Sequence, residues 1–497
     1  MTSHPATGHD HPSPRARRRA RPVPGRARAV VAALAALLVA SLSTGCARSV
    51  PGTGGAERWS PTRVAGLDIT TGESGPRPGV ADSRLRVLGT DGGEIDRLAR
   101  NAVDDVQKYW SERLPADFGE RFRPVTRLVS YDSTGPGAQV CQASTAGLVN
   151  AFYCGQDDTV AWDRGELLPG LDDAFGPMSV VAVLAHELGH AVQFRLGLDP
   201  DTGSIVKEQQ ADCYAGAFFR WVAEGNAPHF RISTGPGLNQ ILSTLFSIRD
   251  SAGVGFDARG AHGNAFDRVS AFQFGFGDGP RRCARIDDAE VRGRITQQSG
   301  DDAAREPAGD LRVDDRDALV ALGRTLRDAF DPGGAASPGL VIGSAGCPAA
   351  VPTTPATYCP DTDIVGLDRV ALVRIGTPPA RGRPGGLGDF AAFAEVASRY
   401  ALAAQRAAGY PLTGLAAAQR TACLTGVWAA TIVAGRGAAL RLSSGDLDEA
   451  VAEMLRAESL IAADLDGASV PSGFARVEAF RDGFSGGGAA VCTGRYR

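Results

Sequence analysis

The sequence predicts an α+β fold carried twice along one chain. Segments with helical and with strand periodicity mix without a regular βαβ alternation, which places the chain in the α+β class. Cysteines recur in order: Cys141, Cys154, Cys213 and Cys283 are followed by Cys347, Cys359, Cys423 and Cys492 at offsets of 206, 205, 210 and 209 residues. Their surroundings recur with them. Tyr153-Cys154, Asp158, Val160 and Asp163 match Tyr358-Cys359, Asp363, Val365 and Asp368. Gln209 and Gly216 match Gln419 and Gly426. Phe266, Arg268, Val269, Phe272, Gly275 and Phe276 match Phe474, Arg476, Val477, Phe480, Gly483 and Phe484. So many anchors in one order mark a duplication, with residues 81–290 as the first copy, 308–497 as the second, and the polar stretch 291–307 as a linker.

At 497 residues with 43% hydrophobic residues, the chain can form two or three packed domains, and its 63 Gly and 30 Pro predict long loops. Residues 1–46 read as an export signal. Arg15, Arg17, Arg18, Arg19, Arg21, Arg26 and Arg28 form a positive region, and Ala29 to Leu42 is an apolar run too short to span a bilayer well. The run ends in Leu42-Ser43-Thr44-Gly45-Cys46, which is similar to a bacterial lipobox, with Ser43 where an aliphatic residue is preferred. Acylation of Cys46 would hold the protein on the outer face of the membrane. Residues 47–80, rich in Gly, Pro, Ser and Thr, read as a flexible stalk. Loss of residues 1–45 removes seven Arg and one Asp, taking the net charge from −4 to −10. An acidic chain without a basic cluster argues against nucleic acid as a partner. With Cys46 acylated, eight cysteines remain, an even number that implies disulfides in an exported chain. The repeat selects Cys141–Cys154, Cys213–Cys283, Cys347–Cys359 and Cys423–Cys492.

Within the first copy, Ile95 to Leu114 places Leu98, Ala102, Val106 and Trp110 on one helical face, and Thr126–Tyr131 and Thr159–Trp162 read as strands. Met178 to Leu196 is a helix, with Pro177 at its start and Gly197 past its end. Ile205–Glu224 and Ala265–Phe274 are further helices.

The chemistry lies in His186-Glu187-Leu188-Gly189-His190. Residues four apart share a helical face, so both imidazoles can hold one Zn²⁺ while Glu187 stands at the flank, a pattern that serves peptide hydrolysis. A catalytic zinc needs a third protein ligand and an open position. Eighteen residues past His190, Glu208 and Asp212 lie at i and i+4 on another helix. Glu208 can reach the metal, and Asp212 can hold the second ring nitrogen of one histidine and so fix its tautomer. Gln193, seven residues after His186, also lies on the ligand face. His262, in an Ala-His-Gly loop, is the first candidate to stabilise an oxyanion, with Tyr214 and Arg268 behind it. His229 reads as structural or merely exposed.

With these residues in view, the sequence resembles the neutral zinc metallopeptidases of bacterial exported proteins, and more closely the actinobacterial lipoprotein peptidases related to them. The resemblance is carried by Phe152-Tyr153-Cys154, by His186 through Gln193, by Glu208-Gln209-Gln210-Ala211-Asp212-Cys213, and by His262-Gly263 through Arg268-Val269 to Cys283. It covers most of the first copy and implies a zincin-like fold with a Glu as third ligand; the family usually has Leu where Gln209 stands. By analogy with that fold, the strand Thr159–Trp162 is expected to pair with an extended substrate.

In the second copy Ser398, Arg399 and Leu402 align with His186, Glu187 and His190, and Ala418 and Ala422 with Glu208 and Asp212. A degenerate copy without metal ligands is therefore expected. The whole reads as an exported, membrane-anchored zinc peptidase with one Zn²⁺ per chain, Glu187 as general base and a peptide or protein as substrate. The alternative is a non-enzymatic cell-envelope scaffold. Oligomeric state is not legible in the sequence.

Overall fold

The computed structural model describes residues 60–255, 258, 260–294, 311–331, 337–347, 351–379, 385–434 and 440–497. The export signal, Cys46 and most of the expected linker lie outside the described residues. Arg58–Arg497 form one compact unit. Among the described residues no helix is long and apolar enough to cross a membrane.

The first half is organised by helix α1 (Glu94–Phe118), strands β1 (Arg127–Tyr131), β2 (Ala151–Cys154) and β3 (Thr159–Asp163), and helices α2 (Pro177–Arg195), α3 (Ser204–Ala223), α4 (Pro236–Ser247) and α5 (Ala265–Asp278). The sheet order is β1-β3-β2, with β1 parallel and β2 antiparallel to β3. Helix α2 is buried on almost every face, because its sequence is apolar all round rather than along one stripe. It starts where Gly176 turns with φ 80° and Pro177 takes the first helical position, which needs no N–H donor. Gly197, at φ 71°, ends it.

Helices α3 and α5 cross in close backbone contact. A Cβ on Gly216 would lie 2.0 Å from the Phe272 carbonyl oxygen, and one on Gly275 1.7 Å from that of Cys213. Only glycine fits there. The same crossing holds Cys213 against Cys283 in a disulfide.

The second half repeats this order: α6 (Arg316–Phe330), β4 (Gly339–Ile342), β5 (Ala356–Cys359), β6 (Ile364–Leu367), α7 (Asp389–Ala407), α8 (Leu415–Val433), α9 (Asp446–Leu455) and α10 (Gly473–Ser485). Its sheet runs β4-β6-β5, again with one parallel and one antiparallel pair. A Cβ on Gly426 would lie 2.0 Å from the Phe480 carbonyl oxygen, and one on Gly483 1.8 Å from that of Cys423, as at Gly216 and Gly275. The four disulfides are Cys141–Cys154, Cys213–Cys283, Cys347–Cys359 and Cys423–Cys492, the pairs the repeat selects. One apolar core runs through both halves, with Phe266 edge-on to Phe480 and Phe484.

Two boundaries differ from expectation. The expected stalk, 47–80, is folded from Ser60 onward: Arg63–Val64 pairs with Leu67–Asp68, Gly75–Pro76 pairs with Phe230–Arg231, and Val64 is buried. Its small polar residues serve as hydrogen-bonding groups, Thr70 to Thr234 and Ser74 to Ser233, so a composition that reads as flexible codes instead for short paired segments. The expected linker, 291–307, begins inside a helix, Asp288–Arg294, whose Arg292 and Arg294 pair with Asp288 and Glu290 one turn earlier.

A candidate metal centre

Helices α2 and α3 bring the three expected ligands together. His186 Nε2 and His190 Nε2 are 3.2 Å apart, and the Glu208 carboxylate stands 3.1 Å from the first and 3.4 Å from the second. Ligand atoms around a tetrahedral zinc bonded at about 2.0–2.1 Å are separated by about 3.3 Å. The donor set therefore fits one Zn²⁺. The approach of α2 to α3 that permits it depends on Gly189, where a Cβ would sit 2.9 Å from the Ala211 Cα.

Both histidines have their other nitrogen committed. His186 Nδ1–H donates to Asp212 at 2.7 Å, and His190 Nδ1–H donates to Gln193 Oε1 at 2.9 Å. The Gln193 amide donates in turn to the Lys207 carbonyl at 2.6 Å and to Gln210 at 3.2 Å. With these bonds made, each Nε2 faces the centre as an acceptor, an arrangement that a cation relieves. The charge around them agrees. Burial disfavours an imidazolium at His186, yet Asp212 and Glu208 together push its pKa up to about 10.

Asp212 is fully buried and takes two hydrogen bonds from Arg268, each 2.9 Å long, beside the one from His186. Burial alone would raise its pKa; the Arg268 charge, followed by His186, holds it below the usual carboxylate range. Glu187 points from the flank of α2 toward β2, where its carboxylate accepts the Tyr153 backbone N–H at 3.0 Å. Burial raises its pKa against the opposing pull of both histidines.

His186, Glu187, His190, Gln193 and Glu208 line a cleft of about 950 Å³ together with Phe152, Phe194 and His262. His262 is exposed at its rim, its backbone N–H and ring bonded to Asp250 at 2.8 and 3.3 Å. That bond, opposed by burial, raises its pKa.

Three expectations change. Arg268 borders the cleft but is 1% exposed, with its guanidinium committed to Asp212 and to the Ile248 carbonyl rather than free as an oxyanion donor. Tyr214 is a core residue packed edge-on to Trp110 at 5.3 Å. The strand expected to pair with substrate, here β3, has β1 on one side and β2 on the other, so it has no edge to offer. The strand beside the cleft is β2. His229 is buried against Asp105, with 2.6 Å between Nδ1 and the carboxylate. Sequence reasoning missed Asp250 and the Tyr153 N–H. Only the repeated Arg268/Arg476 pair hinted at the role of Arg268.

In the second half, Arg399, which the sequence aligns with Glu187, is fully buried. It donates to the carbonyls of Leu460, Ala463 and Asp464 at 2.7–2.9 Å, and Glu395 accepts the Leu460 N–H.

The fold and centre define a chain whose HExxH helix, carboxylate-bearing second helix and buried flanking glutamate are assembled at one cleft. Residues 63–284 match the family described as putative neutral zinc metallopeptidase. The uncharacterized protein YpfJ of Escherichia coli strain K12 is 30% identical over 245 residues, which is 44% of this chain and 80% of that protein. The uncharacterized protein Rv2575 of Mycobacterium tuberculosis is 27% identical over 215 residues, 38% of this chain and 69% of its own. No solved structure matches. The chain belongs to this neutral zinc metallopeptidase family, and the match lies within its first half.

Proposed function

We propose that this chain is an exported zinc peptidase, anchored through Cys46 at the outer face of the membrane, that hydrolyses peptide bonds at the cleft between β2 and α2. The observation that carries the reading is the meeting of His186, His190 and Glu208 within 3.1–3.4 Å, with Glu187 buried beside them. His186, His190 and Glu208 would hold Zn²⁺, which would supply Lewis acidity and bring the pKa of water to about 7. Glu187 would act as general base toward the attacking water and return the proton to the leaving amine. Asp212 and Gln193 keep the two imidazoles in the tautomer that presents Nε2. The edge of β2 offers main-chain groups to an extended substrate. Residues 308–497 are a degenerate copy that keeps the fold and lacks the ligands.

The test is metal content and hydrolysis of a fluorogenic casein by the purified protein. One zinc per chain, activity abolished by chelation, and zinc lost from Glu208→Ala are expected. A zinc-free protein, or hydrolysis that survives chelation, overturns the reading.

His262 is the proposed oxyanion donor. His262→Ala is expected to lower kcat by about 10²-fold with little change in KM. Because Asp250 raises the pKa of His262, the protonated donor persists further into the neutral range and kcat falls as pH rises through that value. Asp250→Asn removes the charge and should move this alkaline limb to lower pH. A limb that stays in place would exclude His262 from the step.

A further inference from the structure

Among its contacts with the first half, the C-terminal half reaches the three-residue segment Ile248-Arg249-Asp250, between α4 and α5. Each residue of the segment serves a different partner. The Ile248 carbonyl accepts from Arg268 Nη1 at 2.9 Å, and Arg268 holds Asp212, which holds His186. Asp250 accepts the N–H groups of His262 and Gly263, both at 2.8 Å. Between them, Arg249 lies 3.0 Å from the carboxylate of Asp448, on α9 of the second half. The other oxygen of Asp448 accepts the Phe266 N–H at 3.2 Å, in the first turn of α5, two residues before Arg268. A carboxylate at a helix N-terminus is favoured by the exposed N–H groups there. Asp448 is 5% exposed, so its charge is answered by these groups rather than by water.

We propose that Asp448 is a positioning residue for the metal centre, supplied by the half of the chain that does not carry His186, His190 or Glu208. Successive Cα atoms are held about 3.8 Å apart. A shift at Arg249 is therefore passed to the Ile248 carbonyl on one side and to Asp250 on the other. The first sets Arg268, Asp212 and His186; the second sets His262. Asp448 also fixes the start of the helix that carries Arg268, so both ends of the Arg268–Ile248 bond depend on it. This gives the second half a role at the centre: its α9 buttresses the first half's cleft.

The inference rests on the zinc peptidase reading, and the experiment separates the two. Asp448→Ala, Arg249→Met and Asn239→Ala are made in the full chain. Asn239 accepts the Gly473 N–H at 2.8 Å and is a contact between the halves outside the segment. Zn²⁺ affinity is read by chelator competition, and ligand geometry by the visible absorption of the Co²⁺-substituted protein. Asp448→Ala and Arg249→Met should weaken zinc binding about 10-fold or more, as loss of outer-shell support does. Both should alter the Co²⁺ bands and lower kcat with KM little changed. Asn239→Ala should leave affinity and bands as in the wild type. If Asp448→Ala does not fold, Arg249→Met reads the same link with the α5 N-terminus still capped. A zinc-binding wild type whose Asp448 and Arg249 variants keep its affinity and spectrum overturns the positioning role alone. A wild type that takes up no zinc overturns the peptidase reading and this inference with it.

Discussion

Glu187→Gln is expected to lower kcat by about 10²–10⁴-fold while the protein keeps its zinc. Gln has the same shape and still accepts the Tyr153 N–H that Glu187 accepts at 3.0 Å, but it cannot take a proton from water. Burial raises the pKa of Glu187, which makes it a stronger base than an exposed carboxylate. The base must be ionised, so activity should fall as pH drops through this raised value, above the ordinary carboxylate range. Steady-state kinetics beside metal analysis of the same preparation checks both parts. A variant with wild-type kcat would remove Glu187 from the chemistry; one that has lost its metal would make it a structural residue.

Arg268→Met should have the largest effect on stability. The guanidinium and the Asp212 carboxylate are both buried and joined by two bonds of 2.9 Å. Removing one partner of such a pair costs about 3–5 kcal/mol, because the other charge stays buried with too few hydrogen bonds. Zinc affinity should fall about 10–100-fold at the same time, since Asp212 would no longer hold His186 in place. Urea unfolding of the metal-free protein measures the first effect and chelator competition the second. Asp212→Asn combined with Arg268→Met should cost less than the sum of the two changes, since each disrupts the same pair. A stability loss under about 1 kcal/mol, the range of an exposed ion pair, would mean the charge is not buried as described.

The legible part of the site was the part held within single helices. His186 and His190 share a face of α2, and Glu208 and Asp212 share one of α3, because residues four apart on a helix point the same way. Gln193 also fell within reach of this rule. Arg268 was legible as a repeated residue but not as the partner of Asp212, for the two are 56 residues apart and meet only where α3 and α5 cross at Gly216 and Gly275. The expected stalk failed for a related reason. Small polar residues give no periodicity, and whether they stay solvated or pair with Thr234 and Ser233 depends on what is brought beside them.

By itself the sequence determined the α+β class, the HExxH helix with its carboxylate-bearing partner, and the four disulfide pairs, because helical periodicity and a recurring cysteine order are local or self-referential signals. Tertiary structure alone decided that Asp212 holds His186, that Arg268 is buried behind it, that β2 and not β3 borders the cleft, and that Arg399 is buried against the carbonyls of Leu460, Ala463 and Asp464. Each of these is a contact between segments far apart in the chain. Such contacts are set by how closely helices approach and which strand is left at the edge, and no single segment carries that information.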